Sequence, residues 1–334
     1  MAANNTLTAI AVQAGVSVST VSKVRNGGTD VAPATRARVA ALLRQHGHQV
    51  VSPGGFGVVD LLIGGLHGPW SEELLRGAVE AGDELGVSIL VTTADSRAEY
   101  GKWLERAATR GTSGVLSVLR EPSAADLRKL ARAKIPLVLI DPPREPTVFI
   151  ESMRIRSVGT TNWQGGLTAT RHLIELGHRR IAVICGQEGL WSSQARLEGY
   201  RAALAEAGLR ADERLVCHGS LSPDGARYVT AALLDRADPP TAIVAGNDGQ
   251  AFGVLQALGE RGLRAPDDLS VIGFDDVPIA TWASPPLTTI RQPLAAMAAT
   301  ALRLLLSGSA EPHHIELATS LVIRQSTGAP SFGQ

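Results

Sequence analysis

Two sets of side chains in this 334-residue sequence have the types and spacing to do chemistry. The first lies near the amino terminus, where Ser17, Val18, Ser19, Thr20, Ser22, Lys23 and Asn26 crowd one short stretch, with Thr6 upstream. Hydroxyls can pair with base edges or phosphates, a valine methyl can touch a thymine methyl, and an ammonium can reach guanine or phosphate. The second set stands at the ends of apolar runs further on. Asp141 follows Val138-Leu139-Ile140, Asn247-Asp248 follow Ile243-Val244-Ala245, and Asp275-Asp276 end Val271-Ile272-Gly273-Phe274. Arg196 opens a helical stretch carrying Gly199-Tyr200. Carboxylates, an amide and a guanidinium converging on a cleft suit a polyhydroxylated ligand, because each can bond sugar hydroxyls bidentately. A single strand-end Asp is equally well explained as a helix cap, and Asp248 is expected to be one. The reading rests on several of them converging.

Other chemistries lack their residues. No Gly-x-Gly-x-x-Gly or Gly-x-x-x-x-Gly-Lys-Ser/Thr loop is present to cradle phosphates. Ser-His-Asp and metal-ligand constellations are missing too, so neither an enzyme nor a cofactor or metal is expected. His313-His314, beside Pro312, read as solvated side chains of a polar loop. Cys185 and Cys217 sit in separate apolar runs, as small core residues of a reducing compartment do. The amino terminus lacks a basic-then-apolar signal, and no apolar run is long enough to span a bilayer. These features predict a soluble cytoplasmic protein with no membrane partner.

The elements that must position the first set are three short helices. Leu7, Ile10, Ala11 and Ala14 follow helical spacing behind a cap at Thr6 or Thr8, and Gly15 supplies the positive φ of a tight turn. Ser17 caps a second helix with Val21 and Val24 inward, and Pro33 opens a third whose stripe is Val39, Ala40, Leu42 and Leu43. That is the arrangement of a helix-turn-helix, whose second helix enters the major groove. Charge agrees. Residues 1–50 carry Lys23, Arg25, Arg36, Arg38 and Arg44 against one acid, Asp30, while the whole chain is neutral. A basic head on an acidic body fits a duplex-DNA partner better than a bundle that makes only protein contacts.

The second set needs sheets. A chain of this length, 44% hydrophobic, fits two or three domains. From Val58 onward, apolar strand-like runs (58–66, 87–92, 114–119, 136–141) alternate with helical stretches (72–85, 100–110, 124–133). A second series repeats the pattern, with strands at 180–185, 215–219, 241–246 and 270–275 and helices at 166–176, 196–207, 224–234 and 250–262. The expected fold class is α/β: two doubly wound parallel-sheet lobes behind the three-helix head, with ligands beyond the carboxyl ends of the strands.

The head resembles the LacI/GalR (lactose-repressor) family, through Thr6-Leu7, Ile10-Ala11, the run Ala14 to Val24, Asn26-Gly27 and the segment Val31 to Val39. The body is similar to the same family through Leu176-Gly177-His178-Arg179-Arg180-Ile181-Ala182, Gly199 to Leu204, Leu269 to Asp276 and Pro285 to Gln292. The resemblance implies a periplasmic-binding-protein-like body and a homodimer that binds operator DNA as a repressor under a small effector. It implies operator-reading positions at Val18, Ser19, Ser22 and Lys23, and effector-contacting positions at Asp141, Ser192, Arg196, Asn247, Asp275 and Gln292. Where relatives stack an aromatic on the sugar, this chain has Leu221, so Trp70 and Trp163 are candidates for stacking instead. The stretch Asn162 to Gly166 also resembles regulators of xylose, xylan or other plant polysaccharides.

Departures from the family matter as well. Lys23 replaces the usual Arg, Ala32 replaces the Ser before Pro33, and Arg25 stands at a customarily apolar position. Relatives continue into an Asn-Ala-Arg-Ser-Leu type hinge helix, whereas this chain reads Gln49-Val50-Val51-Ser52-Pro53-Gly54-Gly55-Phe56-Gly57, a poor helix. The domains expected are therefore a head at 1–50, a flexible linker at 51–57 and a body at 58–334. Lobe one takes about 58–158 and 291–318, and lobe two about 159–290 and 319–330. A carbohydrate effector is the first reading, a nucleoside or purine the alternative, and a transport receptor the remote one.

Overall fold

The computed structural model describes residues 7–25, 27–28, 30–46, 57–66, 68–94, 96–144, 155–186, 188–307 and 314–331. The head consists of α1 (Leu7–Ala14), α2 (Val18–Arg25) and α3 (Pro33–Gln45). Ile10, Ala11, Ala14, Val21, Val24, Val39, Ala40 and Leu43 form its core. Gly15 turns the chain at φ 64°, and α1 and α2 meet at 105°, within the range of a helix-turn-helix. Thr8 lies inside α1 and does not cap it; the alternative cap, Thr6, lies outside the described residues. So does most of the expected linker, residues 51–56.

Two six-stranded sheets make the body. The first is built from β1 (Val58–Ile63), β2 (Ser88–Thr93), β3 (Gly114–Val118), β4 (Leu137–Ile140), β5 (Arg156–Thr160) and β11 (His314–Leu317). Its order is β11-β5-β4-β3-β1-β2, all parallel. It is flanked by α4 (Pro69–Leu85), α5 (Arg97–Arg110), α6 (Ala124–Ala133) and α12 (Leu294–Leu306). The second contains β6 (Ile181–Cys185), β7 (Val216–His218), β8 (Ala242–Ala245), β9 (Ser270–Asp275), β10 (Thr288–Arg291) and β12 (Ser320–Val322). Its order is β12-β10-β9-β8-β6-β7, parallel except for β12. Around it lie α7 (Asn162–Glu175), α8 (Trp191–Glu206), α9 (Pro223–Leu234), α10 (Asp248–Glu260) and the short α11 (Ile279–Trp282).

Covering by helices on both faces explains why the central strands β3, β6, β8 and β9 read as largely apolar runs: each is buried throughout. The exception in β1 is neutralised locally. Asp60 is fully buried and accepts hydrogen bonds from Arg110 (2.7 Å), Thr112 (2.6 Å) and Trp103 Nε1 (3.2 Å).

The chain passes between the sheets three times, after β5, after β10 and between β11 and β12. These crossings are stitched together. Thr161 N donates to Leu317 O (3.0 Å), and Thr319 N donates to Thr161 Oγ1 (3.0 Å). A further contact between the lobes is Trp191 N donating to Pro143 O (3.0 Å).

His314 corrects the expectation of a solvated loop; His313 lies outside the described residues. His314 begins β11 opposite Ser157, shares a 2.7 Å hydrogen bond with its hydroxyl, and burial pushes its imidazole down to about 4. Pairing with a neighbouring strand, invisible in a His-His pair beside proline, decides its environment.

Candidate functional site

The carboxyl ends of the strands in the two sheets face one another across a cavity of about 480 Å³. Asp141, after β4, and Leu119, after β3, reach it from the first lobe, together with Trp70 near the start of α4. Asp275 at the end of β9, Asn247 after β8 and Ser192 and Arg196 in the first turns of α8 reach it from the second. Asp141 and Asp275 hold positive φ, 49° and 115°. Non-glycine residues there cost about 1–3 kcal/mol each, and such backbone marks places where a strand end is held for a purpose.

Arg196 is the centre. Its guanidinium lies 3.7 Å above the Phe274 ring, a cation–π stack. Nε donates to Asn162 Oδ1 (2.8 Å) and Nη1 to Gly246 O, so two neighbouring elements fix the plane. The side chain is enclosed by protein, yet part of its surface is bare because it faces the cavity. Glycines make this placement possible. A Cβ on Gly166 would meet Arg196 O at 2.2 Å, and one on Gly199 would meet Trp163 O at 2.1 Å. Only with both absent can α7 and α8 pack closely enough to bring Asn162 to the guanidinium.

The surrounding charges are strongly perturbed. Burial raises the Asp141 carboxyl to about 6, partly offset by Arg196. Asp275 is raised by burial as well, against the pull of Arg196 and a hydrogen bond from Gln292. Burial lowers Arg196, and Asp275, Asp141 and Asp248 oppose that shift. Hydrogen-bonding groups held beside apolar walls such as Val183, Ile184, Val244 and Leu221 match a ligand that is hydroxylated at its rim and apolar on its faces.

Of the nine side chains expected at the effector, seven line this cavity: Trp70, Asp141, Ser192, Arg196, Leu221, Asn247 and Asp275. Gln292 and Trp163 do not. Gln292 is a buried bridge, accepting from Thr160 Oγ1 (2.6 Å) and donating to Asp275 Oδ1 (2.6 Å), so it joins the first sheet to a cavity carboxylate. Trp163 is 44% exposed and faces a separate shallow depression beside Trp191 and Glu316. That depression lies where the start of α7 meets the first turns of α8, outside the cavity.

Asp248 corrects another expectation. Asn247 caps α10, accepting from Gln250 N (2.6 Å), while Asp248 is fully buried and accepts from Val277 N (2.9 Å) and Thr289 Oγ1 (2.6 Å). Its carboxylate ties α10 to β10 and to the turn after β9. Asp276 is likewise occupied, by Arg291 (2.7 Å) and Arg324 (2.6 Å).

On the head, Ser17 Oγ accepts from Thr20 N (3.1 Å), capping α2. The same oxygen lies 2.8 Å from the hydroxyls of Ser19 and Thr20. Val18, Ser19 and Lys23 are exposed and Ser22 half-buried, on the face opposite Val21 and Val24. Thr6 and Asn26 lie outside the described residues.

Residues 6–49 match the family of bacterial regulatory proteins, lacI family, and residues 170–327 the periplasmic binding protein-like domain. The chain is 33% identical to the HTH-type transcriptional regulator DegA of Bacillus subtilis over 336 residues, 95% of this chain and 96% of that one. It belongs to the LacI family of transcriptional regulators. CelR of Thermobifida fusca is 32% identical, over 96% of this chain and 98% of that protein. Among solved structures, a CelR–cellobiose complex matches this LacI-family chain with a TM-score of 0.73 at 32% identity, covering 96% of this chain and 99% of that one. A LacI family regulator from Enterococcus faecium with bound ribose matches at 0.72 and 27% identity, covering 81% and 99%.

As a LacI-family regulator the chain binds DNA through its head under the control of a small effector. Sequence reasoning missed three residues of its cleft. Phe274 was read only as part of a strand core, and Asn162 only as part of a stretch that resembles regulators of plant-polysaccharide use. Ser193, whose Oγ accepts from Gly186 N (2.8 Å), holds the loop after β6. Among the described residues no single helix is long and apolar enough to cross a membrane.

Proposed function

We propose that this regulator is a homodimeric repressor whose cleft binds a sugar or short oligosaccharide and whose α2 reads the operator. The observation that carries the effector reading is the Arg196 guanidinium, stacked on Phe274 and flanked by Asp141 and Asp275 at one cavity. A guanidinium between carboxylates offers donors and acceptors a few ångströms apart, the pattern vicinal hydroxyls require. Trp70 and Leu221 cover the apolar faces of the ring, and Ser192 and Asn247 reach its rim. The cellobiose bound by CelR and the ribose bound by the Enterococcus faecium regulator support a carbohydrate over a purine. Plant-polysaccharide fragments are the first sugars to test.

On DNA, Val18, Ser19, Ser22 and Lys23 approach base edges, with Ser17, Thr20, Thr6 and Asn26 at phosphates and caps. One head covers too few base pairs to bind tightly, so two act on a palindromic site. Tyr228 and Trp282, 80% and 77% exposed on the layer of α9–α11, supply apolar area for the dimer. The lobes divide near 158, 290 and 318, where the chain crosses between sheets. With a linker at 51–57 whose glycines and proline disfavour a helix, closure of the lobes acts by changing the spacing of the two heads. Coupling of about 1–3 kcal/mol changes operator affinity about 5- to 150-fold. The cleft binds its ligand without transforming it, and the protein works in the cytoplasm, where its DNA is.

A thermal-shift screen of pentoses, hexoses, cello- and xylo-oligosaccharides and purines tests the effector. A sugar should raise the melting temperature in proportion to ln(1 + [L]/Kd) and alter retardation of duplexes from the gene's own neighbourhood. Stabilisation by purines alone would overturn the carbohydrate reading. Failure to retard any such duplex at low salt would overturn the operator reading.

A further inference from the structure

The lone acid of residues 1–50 sits against the residue assigned to guanine. Lys23 Nζ is hydrogen-bonded and ion-paired to Asp30 Oδ2, and both side chains are more than half exposed. The loop between α2 and α3 is built to bring them together. Gly28 N donates to Lys23 O (2.8 Å), and Arg36 in α3 donates to Gly28 O (3.0 Å), which folds the loop back over the carboxyl end of α2. A Cβ on Gly28 would lie 3.2 Å from Lys23 O and 3.3 Å from both Asp30 Oδ1 and Lys23 Cβ. The groups facing the carboxylate are thus Lys23 from α2 and Arg36 from α3, and they hold it below the usual carboxylate range.

We propose that Asp30 is a specificity-setting residue that keeps Lys23 from binding phosphate indiscriminately. This rests on the reading above that α2 lies in the major groove with Lys23 at the bases.

An unpaired lysine on that face is a mobile point charge that binds any phosphate, and each phosphate neutralised adds affinity for every duplex alike. Pairing removes that gain either way. To bind a phosphate the ammonium must either leave Asp30, so that the carboxylate keeps only Arg36 in the negative field of DNA, or draw a second anion up beside that carboxylate. At a base edge the balance differs. Guanine O6 and N7 can accept from Lys23 while Asp30 stays beside it, and a carboxylate can accept from cytosine N4. The pair therefore disfavours backbone contact more than base contact. An exposed ion pair contributes little to stability, so the role lies in binding and not in folding.

The test measures duplex affinity of the full-length protein and of Asp30→Asn, Lys23→Ala and the double variant. One duplex carries an operator selected from a randomised pool, the other a scrambled sequence. The expected result is that Asp30→Asn binds the scrambled duplex about tenfold more tightly, with a salt slope steeper by about one counterion, while operator affinity gains less. The operator-to-scrambled ratio then falls. In the Lys23→Ala background the same substitution should leave that ratio unchanged, which separates action through Lys23 from a general loss of negative charge. Unchanged scrambled affinity and salt slope on Asp30→Asn, with an unchanged melting temperature, would overturn the proposal. So would an equal change in the ratio when Lys23 is absent. If Lys23→Ala itself leaves operator binding intact, the placement of α2 fails instead, a distinguishable outcome.

Discussion

The α2 face and the cleft both recognise polar partners, yet they do so under opposite physical conditions. The side chains of α2 stand in water around a small apolar core, and their charges are exposed. Those of the cleft are enclosed, with Arg196 surrounded by protein and Asp141 and Asp275 raised by burial. In water, a hydrogen bond to DNA exchanges one solvated partner for another, so each contact is modest and recognition accumulates over many. Inside the cleft the desolvation has already occurred during folding, and a ligand that completes the pattern meets aligned groups at reduced dielectric. One region should therefore tolerate single substitutions, and the other should not.

The largest expected effect is at Arg196. Arg196→Ala removes the hub between Asn162, Gly246 and the two carboxylates, and should weaken effector binding more than about 100-fold. Operator binding by the ligand-free protein should survive. Calorimetric titration with the effector and a retardation assay measure the two arms, and an intact effector response would break the comparison.

Acidification comes next. Hydroxyls donating to Asp141 favour its ionised form, so affinity should be flat above about pH 7 and fall by up to tenfold per pH unit below about 6. Stability of the ligand-free body runs the other way. A carboxyl raised from 3.8 to about 6 holds its proton in the folded state first, so its contribution is lost as pH rises from about 4 to about 6. Titrations and melting curves between about pH 4 and 8 check both signs.

Lys23→Ala should weaken operator binding roughly tenfold and leave effector affinity unchanged. The smallest effect belongs to Ser17→Ala, which removes the cap of α2 and should destabilise the head by about 1 kcal/mol, seen as increased amide exchange confined to residues 7–46.

The head was legible almost completely, because its helices are defined by local signals. Gly15, Ser17 and Pro33 do their work within a turn of where they stand. The alternation of strands and helices was legible in the body, as was the convergence of Asp141, Arg196, Asn247 and Asp275. Less legible were β5, β10, α12, β11 and β12, none of which was singled out as an element. Strands such as Arg156–Thr160 and Thr288–Arg291 carry too few apolar residues to announce themselves, and they exist because neighbouring strands complete their hydrogen bonds.

Residue order alone carried the motifs that resemble the family and, through periodicity and capping, the three-helix head and the strand ends that bear polar groups, since these are properties of neighbours along the chain. Tertiary structure decided what each polar group does. It set Arg196 on Phe274, made Gln292 a bridge, buried Asp248 as a tie and turned Trp163 away from the cleft. A side chain's solvation and partners depend on segments tens to hundreds of residues distant, and these meet only when the sheets and helices pack.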